Sequence, residues 1–355
     1  MPSIQPIPTS IRRRVALPVL AAPSIASPRA TEARTNPGSV RLSVTDRCDF
    51  ACTYCRPSRD DGYVESRLDV AAWETLVDGL VAAGVRRFRL TGGEPLVHPR
   101  VVDLVRLIAS RGVTDLALTT NASQLARLAK PLREAGLHRL NISIDTLDPA
   151  RFERLTRGGR LRDVLGGIDA AIHAGFAPIK LNTVVLRGVN EDELTNILLW
   201  AWERRLVPRF LEVMPIAEGA KLVTEHLVTA AEMRSVLAPY VLEEEAVTET
   251  GLGPAKYVRA RHDPSLRVGF ISGTSDTFCE SCDRLRVSST GVLRPCLATD
   301  DGVDASAAAR GSDADAAEQI VAHIAEAWAM KPDGTIWKGC TEETAASVSM
   351  RAIGG

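Results

Sequence analysis

Between Val40 and Met214 six short β-rich runs alternate with helical patterns, and that alternation restricts the chain to parallel βα architectures. The runs lie near Val40–Val44, Arg87–Leu90, Leu116–Thr120, His138–Ile144, Ile179–Val185 and Arg209–Met214. In the first interval Trp73, Leu76, Val77 and Leu80 fall at i, i+3, i+4 and i+7, one apolar stripe to lay on a sheet, and Gly84 follows as a stop signal. Leu194, Ile197, Leu198 and Ala201 repeat the stripe in the fifth interval, where Asn190 and Glu193 have the spacing of a capping box. Six units fall short of a closed eight-stranded barrel. The sequence therefore predicts an α/β fold built on a partial, TIM-like (β/α)6 barrel over residues 38–242. Residues 243–355 lose the alternation and are expected to form a C-terminal extension over the barrel mouth, with 300–315 as a solvated insert. Residues 1–37, rich in proline and with Glu32 as the lone acid, are expected to be a disordered extension.

Composition narrows the function classes. With 355 residues, 45% of them apolar, the chain has ample core for one large domain or two ordinary ones. A formal net charge of -1 provides no broad field for nucleic acid, so an anionic ligand must be held by a local arginine cluster. No window approaches the run of about 18 apolar residues that a membrane span needs. Arg12–Arg14 followed by Val15–Ala26 superficially resembles a signal peptide, but Pro18 and Pro23 interrupt the apolar stretch. Of the seven cysteines, six stand in two tight groups rather than scattered as disulfide staples would be, which points to a reducing, cytoplasmic compartment.

Cys48, Cys52 and Cys55 directly follow the first predicted strand as C-x3-C-x2-C. Ligands in parallel βα folds gather at the carboxyl ends of strands. Three thiolates serving four irons of a 4Fe-4S cluster would leave one iron open to a chelating amino acid. A structural zinc site would need a fourth ligand, and none lies nearby in sequence. After the second strand comes Gly92-Gly93-Glu94-Pro95, after the third Thr119-Thr120-Asn121, and Asn141, Ser143 and Asp145 follow along the fourth. Cys279, Cys282 and Cys296 form a second triad, C-x2-C-x13-C, whose spacing alone is divided between zinc, completed by His262 or Cys340, and iron-sulfur. Beside it Arg284 and Arg286 offer guanidinium forks suited to phosphate.

With Tyr54 before its last cysteine, the first triad resembles the radical S-adenosylmethionine superfamily. Together with the second triad, the arginine pair and the closing Gly354-Gly355, the chain resembles the GTP 3′,8-cyclase family of molybdenum cofactor biosynthesis from about Gly38 to its end. The resemblance implies two 4Fe-4S clusters, S-adenosylmethionine on the first and the purine of GTP on the second. It implies S-adenosylmethionine contacts from Tyr54, Gly93, Ser143 and Met214, and GTP contacts from Arg41, Arg89, Thr120, Lys180, Arg284 and Arg286. Gly354 and Gly355 are implied as support for catalysis. The reaction implied is cyclisation of GTP to (8S)-3′,8-cyclo-7,8-dihydroguanosine 5′-triphosphate, started by a 5′-deoxyadenosyl radical. Its implied partners are a flavodoxin- or ferredoxin-like electron donor and a downstream cyclic pyranopterin monophosphate synthase; a homodimer is left open, and neither nucleic acid nor membrane is expected. Two departures from the family pattern stand out: Ala122 replaces the glycine after Thr-Thr-Asn, and Asp283 replaces the asparagine before the arginine pair. A radical peptide maturase and a zinc-stabilised regulatory protein are the competing readings. The first would need more C-terminal cysteines than are present.

Overall fold

The computed structural model describes residues 36–60, 62–242, 253–279, 282–311, 315–332, 345–347 and 349–354. The extension expected over 1–37, apart from its last two residues, lies outside these, as do Cys340 and Gly355.

The sequence-predicted alternation is realised as β1 (Ser39–Ser43), α1 (Val70–Ala82), β2 (Arg87–Thr91), α2 (Val101–Ala109), β3 (Asp115–Thr120), α3 (Leu125–Glu134), β4 (Arg139–Ser143), α4 (Pro149–Thr156), α5 (Leu161–His173), β5 (Ile179–Val185), α6 (Leu194–Glu203) and β6 (Val207–Glu212). There follow α7 (Glu218–His226), α8 (Ala230–Leu237), β7 (Lys256–Arg259), β8 (Arg267–Ile271), β9 (Arg284–Val287), β10 (Val292–Arg294), β11 (Val303–Asp304), α9 (Ser306–Arg310), α10 (Ala316–Ala329) and α11 (Met350–Ile353). The α1 stripe is fully used: Trp73, Leu76, Val77 and Leu80 are each at most 1% exposed, and Asp69 caps the helix by accepting from the Ala72 amide at 2.9 Å.

Strands β1 to β6 pair in chain order, all parallel. Two strands of the C-terminal region then extend this arc, β9 parallel to β1 and β8 parallel to β6, with β7 and β10–β11 antiparallel at the edges. Among the described residues the ladder runs from β11 to β7 without closing. A buried parallel sheet ordinarily reads as continuous apolar residues. Here the strands alternate instead: Val40, Leu42, Phe88, Leu90, Leu116, Leu118, Leu140, Ile142, Leu285 and Val287 enter the core beneath the helices. The alternate set, which includes Arg41, Arg89, Asn141, Lys180 and Arg286, must face the barrel interior because successive side chains point to opposite faces. The interior is thus polar by construction, as a chamber requires.

Three expectations need correction. The C-terminal extension does not simply cap the mouth. Cys282 lies just before β9 and Cys296 just after antiparallel β10, while Cys279 packs with Met214 and Ile216 from the end of β6, so this triad occupies the seam between the two edges of the open sheet. Of the expected solvated insert over 300–315, the described residues 300–311 do not form one, because Val303, Ala305, Ala308 and Ala309 join the main core and α9 packs on α1. Asn190 and Glu193 form no capping box. Tertiary partners claim both: Asn190 donates to the carbonyls of Asp145 and Val184 at 2.7 and 2.9 Å, and Glu193 accepts from the Leu147 amide at 2.8 Å and from Arg151 at 2.6 Å. No helix among the described residues is long and apolar enough to cross a membrane.

Candidate functional site

Cys48, Cys52 and Cys55 line one cavity of about 210 Å³ together with Tyr54, Gly93, Glu94, Thr120, Asn121, Ser143, Asp145 and Met214. The four residues expected to contact S-adenosylmethionine are therefore all on its wall. A Cβ on Gly93 would lie 2.3 Å from the Arg47 carbonyl oxygen, so the Gly-Gly turn is glycine because the cysteine loop packs directly on its backbone. Asp49 accepts from Asn121 Nδ2 at 2.8 Å and ties this loop to the end of β3.

Two buried carboxyls, for which the motifs alone assigned no role, support the cavity. Glu94 accepts from the Thr120 hydroxyl at 2.7 Å and from the Asn121 amide at 2.6 Å; burial outweighs these bonds and pushes its carboxyl up to about 8. Asp145 accepts from the Tyr54 hydroxyl at 2.6 Å and from the Val184 amide at 2.9 Å, and burial raises it to about 6. Burial also pushes up the thiols of Cys48 and Cys52, helped by Glu94 at the first and by Asp145 at the second. These cysteines hold their protons until a metal centre displaces them.

In the second triad Cys282 has the opposite electrostatics. Burial raises the Cys282 thiol, but Arg284 and Lys331 outweigh it and bring it down to about 7. Among the described residues no three His, Cys, Asp or Glu side chains converge as a single metal ion would need. His262, a candidate fourth zinc ligand, instead stands edge-on to Trp202, with ring centroids 5.6 Å apart.

Between the triads lies a row of guanidinium groups. Arg41 is opposite Arg89 on one side and Arg286 on the other. Burial, then Arg286, Arg89 and Arg284, hold the Arg41 guanidinium well below its ordinary value. Arg89 is pulled to about 9 by burial and by Arg209, Arg139 and Arg284, and Arg286 to about 10 by burial and Arg284. Guanidinium groups stay protonated in proteins. Burial is the larger cause of the depression, and an anion among these groups would relieve the part that comes from their mutual repulsion. Arg41 Nε and Asn141 Nδ2 are buried donors with no hydrogen-bond partner among the described residues. Arg209 was missed by the sequence reading, although an arginine inside a predicted buried strand is itself a signal; it donates to Asn141 Oδ1 at 2.7 Å within the same interior. Lys180 is buried with its ammonium 5.3 Å over the Tyr257 ring. Thr120 stands apart from the arginines, in the first cavity with its hydroxyl given to Glu94.

The C-terminal residues cross the mouth. Ser349 Oγ donates to the Cys55 carbonyl at 3.5 Å, and Arg286 donates to the Ile353 carbonyl at 3.2 Å and to that of Gly354. Gly354 has φ 72°, and a Cβ there would lie 1.8 Å from Thr91 Oγ1, so the close approach admits only glycine.

The radical SAM superfamily model matches residues 42–201, and the Molybdenum Cofactor Synthesis C model matches 206–337. The chain is 45% identical over 274 residues to GTP 3′,8-cyclase 1 of Pseudomonas aeruginosa, covering 76% of this chain and 83% of that protein. The chain belongs to the GTP 3′,8-cyclase family. It is also 43% identical over 302 residues to the GTP 3′,8-cyclase of Pseudomonas entomophila, covering 82% of this chain and 88% of that protein. For the one of Pelotomaculum thermopropionicum the figures are 42% over 304 residues, with 83% and 91% covered. Among solved structures, Streptococcus suis SuiB bound to precursor peptide SuiA superposes with a TM-score of 0.59 at 15% identity, over 86% of this chain and 66% of that one; this likeness concerns the fold.

Both departures from the family pattern have a physical reading. Asp283 pairs with Arg87, the first residue of β2, and with the neighbouring Arg139–Asp115 pair it lines a cavity of about 40 Å³ at the amino end of the strands, Arg284 among its walls. Ala122 has φ 63° and is fully buried, so it accepts a left-handed backbone that glycine would adopt without strain.

Proposed function

We propose that this chain converts GTP to (8S)-3′,8-cyclo-7,8-dihydroguanosine 5′-triphosphate, the first step of molybdenum cofactor biosynthesis. The observation that carries the reading is the row of Arg286, Arg41 and Arg89, with Arg209 beside it, inside the barrel between two cysteine triads. Each triad supplies three thiolates to a 4Fe-4S cluster, and the first, with S-adenosylmethionine bound, provides the one-electron reduction that yields the 5′-deoxyadenosyl radical. We take residues 38–242 as the core that binds S-adenosylmethionine and 243–355 as the region that carries the second cluster.

Tyr54, Gly93, Ser143 and Met214 hold S-adenosylmethionine in the 210 Å³ cavity. Asp145 fixes the Tyr54 ring through its hydroxyl. Arg41, Arg89, Lys180, Arg284 and Arg286 neutralise the triphosphate, a charge-assisted arrangement in which an anion replaces mutual repulsion among the cations. Arg209 joins this set, and Thr120 lies where the nucleotide meets the first cavity. The sugar would then lie between the triads, where the 5′-deoxyadenosyl radical could take hydrogen from ribose C3′; closure of that carbon on C8 would leave the unpaired electron on N7, to be quenched by a second electron and a proton. The tail through Gly354 covers the mouth and excludes solvent that would quench the radical. A small flavodoxin- or ferredoxin-like protein supplies two electrons, one for cleavage of S-adenosylmethionine and one for the nucleotide radical, a cyclic pyranopterin monophosphate synthase consumes the product, and the reaction belongs in the cytoplasm.

Anaerobic reconstitution tests this directly. About eight irons per chain are expected, four for each triad. Incubation with GTP, S-adenosylmethionine and dithionite should then give GTP-dependent 5′-deoxyadenosine and a new nucleotide isobaric with GTP. Cleavage of S-adenosylmethionine that ignores GTP would contradict the assignment, and peptide-dependent cleavage would favour a maturase.

A further inference from the structure

Lys331 performs a task that the proposed reaction does not use. Strands β9 and β10 pair antiparallel through Val287–Leu293 and Arg286–Arg294, and there the ladder stops. The next positions would be Leu285 opposite Pro295 and Arg284 opposite Cys296, and among the described residues no further backbone pairing ties the hairpin there. The triad hangs from these open ends, with Cys282 two residues before Arg284 and Cys296 immediately after Pro295. Lys331 Nζ donates to the Arg284 carbonyl and to the Pro295 carbonyl, both at 2.9 Å. It thereby bridges the two strand ends where the ladder fails.

The lysine is delivered from a fixed post. It follows α10, whose Ile320, Ile324 and Ala327 are fully buried in the main core and which packs closely on Gly79 of α1. Its ammonium also stands 5.0 Å from the Trp328 ring, which holds the stem in place. A compact ammonium carries three donors and can serve two carbonyls while presenting positive charge to thiolates. Partners that orient metal ligands from behind in this way typically control metal retention by ~10–100-fold.

We propose that Lys331 is a positioning residue for the second cluster: it clamps the backbone segments that carry Cys282 and Cys296 and so sets their separation before the cluster is inserted. This rests on the two-cluster reading above, and the test separates the two. Full-length protein is reconstituted anaerobically, both with the first triad intact and with Cys48, Cys52 and Cys55 all changed to alanine, so that in the latter all bound iron reports the second triad. If the otherwise unchanged chain binds no cluster at Cys279, Cys282 and Cys296, the two-cluster reading itself fails, and the clamp with it.

Given that cluster, Lys331→Met should release its iron to a chelator at least ~10-fold faster, while Lys331→Arg, which keeps charge and donors, restores most of the retention. With the first triad intact, Lys331→Met should leave the first cluster's iron and its electron paramagnetic resonance change on adding S-adenosylmethionine as they were. Iron retention at the second triad equal to that of the unchanged chain would overturn the clamp. Equal loss from both clusters, together with a fall in the unfolding temperature of the metal-free chain, would overturn it as well, because the lysine would then be a general stabiliser.

Discussion

Arg89→Met should make the ligand-free protein more stable and the nucleotide complex weaker. Arg89 is half-buried in the barrel and held at about 9 by burial and by Arg209, Arg139 and Arg284, with only Asp115 opposing. A guanidinium brought down from its ordinary value to about 9 carries several kcal/mol of unfavourable environment at neutral pH, at ~1.4 kcal/mol for each tenfold change. Because the chamber admits water, we discount this for screening to ~1–2 kcal/mol of stability recovered by an uncharged side chain of similar length. At ~2–4 °C per kcal/mol the melting temperature of the ligand-free chain should rise by ~2–8 °C. The same change removes a charge-assisted contact to the triphosphate worth ~1.5–3 kcal/mol, so the GTP dissociation constant should rise ~10–100-fold. Thermal scans without ligand and calorimetric titration with GTP measure the two effects on one preparation. A lower melting temperature together with unchanged GTP affinity would refute the reasoning, for the arginine row would then be a structural network and not a strained anion site.

Gly354→Ala places a methyl group against Thr91 Oγ1 and forces the tail off the mouth; GTP-dependent 5′-deoxyadenosine formation should fall at least ~10-fold while the melting temperature moves by less than ~2 °C. Tyr54→Phe leaves the buried Asp145 carboxylate without its phenol donor and should cost ~1–3 kcal/mol in urea unfolding at pH 8, less at pH 5 where Asp145, titrating at about 6, is protonated. Glu94 is raised from 4.5 to about 8, so the folded metal-free chain binds a proton that the unfolded chain releases; its contribution is present below pH 4.5 and lost as pH rises through 8. Stability measured from pH 5 to 8 should decline more steeply in the unchanged chain than in Glu94→Gln.

The first six strands were legible because each carries a short β-rich run between amphipathic helices, and α1 emerged as its apolar spacing required. Both cysteine triads were legible as local spacings. What failed was nonlocal. The placing of β8 and β9 on opposite edges of the arc depends on pairings with β6 and β1 far away in sequence, and no local pattern encodes them. The Asp300–Asp315 segment looked solvated because its acids mask four residues that the core of α1 and α10 captures. Asn190 and Glu193 have the spacing of a cap but are worth more to β4 and its following turn as buried partners. Arg209 was passed over because a single charge in a strand is ambiguous until its neighbours are known; the register that puts it beside Asn182, with Asn141 in reach, resolves its direction. Lys331 carries no sequence signature at all, since its meaning lies in two carbonyls at the open end of a hairpin on other elements.

The central claim is that the chamber between the triads holds GTP with its ribose exposed to the adenosyl radical. The most direct measurement uses GTP deuterated at C3′ with the anaerobically reconstituted full chain, S-adenosylmethionine and dithionite, followed by mass analysis of the 5′-deoxyadenosine. The account predicts one deuterium in that product, together with a nucleotide that has lost the label from carbon. Formation of unlabelled 5′-deoxyadenosine, with GTP recovered fully deuterated, would contradict it.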